Sequence, residues 1–174
     1  MRKSVLALSF VGFLTMGMAT APSSPSPTAK AVLRNAQGAE VGTANFTEVP
    51  EGVRIVLKAK GLPPGIHAMH LHAVCKCEGP DFTSAGPHFN PDHKKHGHKN
   101  PEGAHAGDLP NIEVGKDGTV AVDIVAPGVN LGAGSHSLLS GEGTSLVIHA
   151  KPDDEVTDPA GNAGARIVCG PITK

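Results

Sequence analysis

Apolar and polar positions alternate along most of this chain in short runs, separated by clusters of Gly, Pro, Asn and Asp. Residues 31–34, 40–47, 53–59 and 67–73 follow this two-residue period. They predict four successive strands, because side chains on a strand point to opposite faces in turn. The breaks between them, at 35–38, 50–52 and 62–65, carry the residues that turns require. Runs at 119–125, 145–150 and 166–169 predict later strands. No stretch keeps a helical period over three turns. The pattern predicts an all-β chain, folded as a Greek-key β-sandwich or a flattened eight-stranded barrel.

Two long stretches break the alternation. Residues 74–110 and 151–165 are rich in Gly, Pro, Asp and His and show little period. Loops beyond about 12–15 residues in a compact domain are usually functional or disordered, so both are expected to carry function. The N-terminus departs in another way. Met1-Arg2-Lys3 is a charged start, 5–18 are mostly apolar, and small residues follow. Residues 1–19 therefore predict a secretory signal peptide, with an apolar run short of the ~20 residues that span a membrane. Residues 20–29 predict a disordered Pro/Ser-rich linker, which leaves 30–174 as one domain.

Charge excludes some partners. The chain has 15 basic and 16 acidic residues, and losing Arg2 and Lys3 would leave 13 against 16, a net of −3. There is no basic run to suggest nucleic acid and no amphipathic stretch to suggest a membrane surface. The expected product is a soluble, exported protein in the periplasm or the extracellular space. Three cysteines in an exported chain favour one disulfide and one leftover thiol. Cys77 with Cys169 would close a loop worth about 4–5 kcal/mol in the chain-entropy model. Cys75 stays open as the partner instead, and Cys75 with Cys77 is the least favoured pairing.

The candidate chemistry lies in histidines. His70, His72, His88, His96, His105 and His149, with Asp108, fall in a chain of ten histidines and no Trp or Tyr. His70 and His72 are two apart on a predicted strand, so both leave the same face. Taken alone, two exposed strand histidines would be the ordinary explanation. His149 ends another apolar run, and His105 and Asp108 share a Gly-containing loop. Imidazole suits copper, zinc, iron and nickel, and a carboxylate among imidazoles leans to zinc. One tetrahedral centre needs about four ligands. Seven candidates are too many for one ion and predict two metals close enough to share a ligand.

These motifs also occur in a familiar order. Gly61-Leu62-Pro63-Pro64-Gly65, His70-Leu71-His72, Ser84-Ala85-Gly86-Pro87-His88-Phe89-Asn90-Pro91 and His96-Gly97 come first. Asn100-Pro101-Glu102-Gly103, His105-Ala106-Gly107-Asp108, His149, Gly161-Asn162-Ala163-Gly164-Ala165-Arg166 and Cys169-Gly170 follow. Across roughly residues 30–172 the chain resembles the copper/zinc superoxide dismutases, in their bacterial exported form. The resemblance implies copper ligands His70, His72, His88 and His149, and zinc ligands His88, His96, His105 and Asp108, with His88 shared. It implies that Asp153 hydrogen-bonds a ligand histidine of each metal, and that Arg166 attracts superoxide beside the copper. Cys77, eleven residues before His88, matches the family partner of Cys169, which leaves Cys75 free. Members of the family are monomers or homodimers, and the resemblance leaves that choice open.

His67 matches a structural histidine, His93 and His98 are expected to be solvated loop residues rather than extra or substitute metal ligands, and His136, in a Gly/Ser loop, has no matched role. Three departures stand out. Ala68-Met69 replaces the usual Gly-Phe, Cys75 stands at a common Gly, and the second long loop has no lysine beyond Lys151. The implied activity is dismutation of superoxide by copper redox cycling, with His88 and Arg166 catalytic and zinc tuning the bridge. The competing expectation is a domain of the same fold that stores or passes copper or zinc.

Overall fold

The computed structural model describes residues 26–174. The expected signal peptide and most of the expected linker lie outside the described residues. Among the described residues nine strands run β1 (Thr28–Asn35), β2 (Glu40–Val49), β3 (Gly52–Ala59), β4 (Gly65–His67), β5 (Met69–His72), β6 (Ile112–Val114), β7 (Val120–Pro127), β8 (Ser145–His149) and β9 (Arg166–Pro171). β1 begins at Thr28, so Thr28 and Ala29 are strand and not linker. Ala29 is buried and pairs with Phe46, which explains why they join the sheet.

Seven strands form one curled sheet in the order β5-β8-β9-β1-β2-β3-β7, and β4 pairs with β6. Every pairing between these strands is antiparallel. The expected strand at 67–73 is split at Ala68. Its first part joins β6 and its second joins β8, while the Ala68 N–H donates to Lys151 O and Ala68 O accepts from the His149 N–H. Counted as one bent strand, β4 and β5 bring the total to the expected eight. β6 was not foreseen. The only helical element among the described residues is a single 3-10 turn at Thr83–Ala85, and no described helix is long and apolar enough to cross a membrane.

β1 and β3 show the period-2 burial that the sequence predicts, one face in the core and one in water. β5 and β8 are buried at every position. Met69, Leu71, Leu146 and Ile148 enter the main core with Phe46, Ile55 and Leu57. The opposite face, with His70, His72, Val147 and His149, is covered by the long loops. Met69 thus fills the core directly behind the histidine face, as an unbranched side chain can.

Candidate metal centre

β5 is an edge strand, and unpaired edge groups need a partner. Here the first long loop supplies it. Leu71 N–H donates to Gly107 O (2.9 Å), Phe89 N–H to Leu71 O (2.8 Å) and Ala73 N–H to Pro87 O (2.9 Å). These bonds place His88 opposite His72 and Asp108 opposite His70. The loop is pinned again by the Cys77–Cys169 disulfide. Beneath that bridge Phe82 and Ala85 pack on Val147 and Cys169 as a small second core. Cys75 is the free thiol, half-buried, with its sulfur 3.4 Å from Ile172 O.

The seven candidates converge into two adjoining groups. His70, His72, His88 and His149 each offer one ring nitrogen, and those atoms lie within 4.8 Å of one another. His88, His96, His105 and Asp108 form the second group by the same measure. His88 belongs to both. All seven side chains are buried.

Hydrogen bonds decide which nitrogen of each ring faces inward. His70 Nε2–H donates to Asp153 Oδ2 (2.7 Å), His72 Nδ1–H to Gly86 O (2.8 Å) and His149 Nδ1–H to Gly164 O (3.1 Å). That leaves His70 Nδ1, His72 Nε2 and His149 Nε2 for the first group. His70 Nδ1 and His88 Nε2 are buried without any partner. An unsatisfied buried polar atom costs about 1–3 kcal/mol, so a bound cation fits this group. On the other side Asp108 Oδ1 lies 3.0 Å from His88 Nδ1, 3.0 Å from His96 Nδ1 and 3.3 Å from His105 Nδ1. Its Oδ2 accepts the backbone N–H groups of Gly97 (2.9 Å) and His105 (3.0 Å).

Asp153 links the two groups from behind. One oxygen accepts from His70, and the other accepts from His96 Nε2 (2.9 Å). Asn111 fixes its backbone in turn, with Asp153 N–H donating to Asn111 Oδ1 (2.8 Å) and Asn111 Nδ2 donating to Asp153 O (2.9 Å).

The electrostatics separate the two sides. Burial pushes His72 down to about 2, and it lowers His88 and His149 to about 4. Those rings are held neutral, the form that binds metals. Burial also opposes charge on His96, yet the Asp108 and Asp153 carboxylates raise it to about 9. Both carboxylates are held well below their ordinary range despite burial, by the histidines that donate to them.

Arg166 reaches the first group through a β-bulge. The β8–β9 register slips between Ile148 and His149, so Arg166 rather than Ile167 stands opposite His149. Bulges commonly re-aim a side chain in this way. The half-buried guanidinium donates to Phe82 O (2.7 Å) and Gly86 O (2.7 Å). Gly86 O therefore ties Arg166 and His72 together.

His67 plays the structural part foreseen for it. Its Nδ1 lies 2.8 Å from His149 O and its Nε2 lies 2.8 Å from Pro63 O. His93 and His98 are exposed and enter neither group. His136 pairs with Asp92 at 3.1 Å on the surface. Gly161 and Asp158, both close to the second group, carried no role in the sequence analysis. Gly161 opens one of the motifs that carry the resemblance, whereas nothing local in the sequence marks Asp158.

Comparison with known proteins points to one family. The family model for copper/zinc superoxide dismutase (SODC) matches residues 40–172. Cu-Zn superoxide dismutase 1 of Aquifex aeolicus is 50% identical over 140 residues, covering 79% of this chain and 83% of that protein. The Cu-Zn superoxide dismutase of Caulobacter vibrioides is 46% identical over 147 residues, covering 83% of this chain and 84% of its own. The crystal structure of a SOD-like protein from Bacillus subtilis superposes with a TM-score of 0.79 at 44% identity, over 81% of this chain and 95% of that one. The paired histidine groups are thus found in a chain that belongs to the copper/zinc superoxide dismutase family.

Proposed function

We propose that this chain disproportionates superoxide, with copper held by His70, His72, His88 and His149 and zinc held by His88, His96, His105 and Asp108. The observation that carries the reading is the pair of adjoining donor sets sharing one imidazole. Their chemistry differs as the two metals require. Four imidazoles suit copper, whereas a set of three imidazoles and one carboxylate suits a structural zinc. Copper, when bound, supplies the one-electron redox change that oxidises one superoxide and reduces another, while zinc is redox-silent.

The chain's own residues do the rest. His88 presents Nε2 to the copper group and Nδ1 to the zinc group. With Nδ1 held by zinc, Nε2 would be the atom at which this ring takes up a proton when it is not a copper ligand. Asp153 fixes the rings of His70 and His96 at once, setting tautomer and orientation on both sides. Arg166 keeps a permanent charge and, with two of its N–H groups committed to Phe82 and Gly86, has donors left to orient a small anion beside His149. The Phe82 and Gly86 carbonyls hold the guanidinium in that position.

Export to the periplasm or extracellular space belongs to the same proposal. The Cys77–Cys169 bridge supports it, since such bonds persist in oxidising compartments. Metal counting on the purified protein tests the site. One copper and one zinc per chain are expected, with His149→Ala losing copper and keeping zinc. Loss of zinc alone in that variant would refute the assignment.

A further inference from the structure

Every histidine of the two groups except His88 turns one ring nitrogen away from the metal-facing cluster, and those nitrogens have protein acceptors in four of five cases. His70 and His96 use Asp153, His72 uses Gly86 O and His149 uses Gly164 O. His105 is the exception. Its Nδ1 faces Asp108 and the other zinc-side donors, so with zinc on Nδ1 its Nε2 would carry the hydrogen, and this side of the ring lines an open groove. The acceptor facing it there is Asp158, with Oδ1 4.0 Å from His105 Nε2.

We propose that Asp158 is the positioning carboxylate of His105, doing for the third zinc-side imidazole what Asp153 does for His96. This rests on the reading of His88, His96, His105 and Asp108 as the zinc site. At 4.0 Å the pair is too long for a direct hydrogen bond, but the carboxylate faces the ring nitrogen. A shift of ~1 Å by this partly exposed carboxylate would close the bond.

Three features hold Asp158 near that position. Its Oδ1 already accepts the His96 backbone N–H at 2.8 Å. Lys95 Nζ lies 3.4 Å from Oδ2. The turn before it is organised by Asp154, which accepts from Val156 N (3.0 Å), Thr157 N (2.8 Å), Thr157 Oγ1 (2.7 Å) and Asn162 Nδ2 (2.9 Å). One short loop thus presents Asp153 and Asp158 to successive zinc-side rings, and Asp158 bonds the backbone of one zinc ligand and faces the imidazole of another.

The test compares the full-length wild type with Asp158→Asn and Asp158→Glu. Zinc affinity is read by competition with a chromophoric chelator, and the site is read with cobalt(II) in place of zinc. Asp158→Asn keeps an oxygen for the His96 N–H but loses the charge facing His105. Zinc should dissociate ~10-fold more readily, at the low end of what such outer partners contribute. The cobalt visible bands should shift, and the His105 Nε2–H proton should exchange faster in NMR of the zinc form. Asp158→Glu should recover most of the affinity. Wild-type zinc affinity and an unchanged cobalt spectrum in Asp158→Asn would overturn the proposal. Zinc affinity indifferent to His105→Ala would overturn the zinc reading beneath it.

Discussion

Gly161 is where a single methyl group should disconnect both metal sites without touching a ligand. A Cβ built there would lie 2.5 Å from the Asp153 carboxyl carbon and 2.7 Å from His96 Nε2. Non-bonded carbon atoms prefer about 3.5–4.0 Å, so in Gly161→Ala the carboxylate must retreat by ~1 Å or more. The hydrogen bonds from His70 (2.7 Å) and His96 (2.9 Å) would then exceed bonding length. Gly161 also has φ +59°, where a side chain adds about 1–2 kcal/mol of strain. Losing an outer partner typically lowers metal affinity about 10–100-fold, which is about 1.4–2.8 kcal/mol. Gly161→Ala should therefore behave like Asp153→Ala, with both metals bound more weakly by that factor. Chelator competition for each metal reads the affinities, and circular dichroism confirms the fold. A folded Gly161→Ala protein with wild-type affinity for both metals would refute the idea that Asp153 is held by this close contact.

Two further outcomes follow from the same geometry. Cys77→Ser opens a link between residues 92 apart, worth about 4–5 kcal/mol in the chain-entropy model. It also loosens the loop carrying Gly86, so thermal unfolding should fall well below wild type and copper should be retained less firmly. An unchanged melting temperature would contradict it. In the metal-free protein, His88 and His149 sit at about 4 and His72 at about 2, below the ordinary value near 6.5. Their contribution is full above ~6.5 and is lost as pH falls, because the unfolded chain takes up protons first. His96, raised to about 9, contributes below ~6.5 and loses that stability as pH rises toward 9. Urea midpoints of the metal-free protein should therefore peak near pH ~6.5, and a steady rise toward either extreme would count against these environments.

The sequence made parts of this centre legible for physical reasons. His70 and His72 could be placed on one face because strand periodicity is local, and His149 because it ends an apolar run. The family motifs supplied the grouping of ligands, which spacing alone left open. The bulge that puts Arg166 opposite His149 depends on register between β8 and β9, a property that neither strand encodes alone. β6 was missed because Ile112-Glu113-Val114 is too short for its alternation to stand out. The break at Ala68 was hidden because 67–73 keep an unbroken strand pattern, although the residues serve two sheets. Gly161 and Asp158 act through contacts between the two long loops, and no period within either loop announces them.

The most direct test of the account is the superoxide dismutation rate of the protein loaded with one copper and one zinc, beside the same protein stripped of copper and the His149→Ala variant. The account predicts a rate toward the ceiling of about 10⁸–10⁹ M⁻¹s⁻¹ that known superoxide dismutases reach, lost in both controls. A loaded protein no faster than the copper-free one, or a fully active His149→Ala, would contradict it.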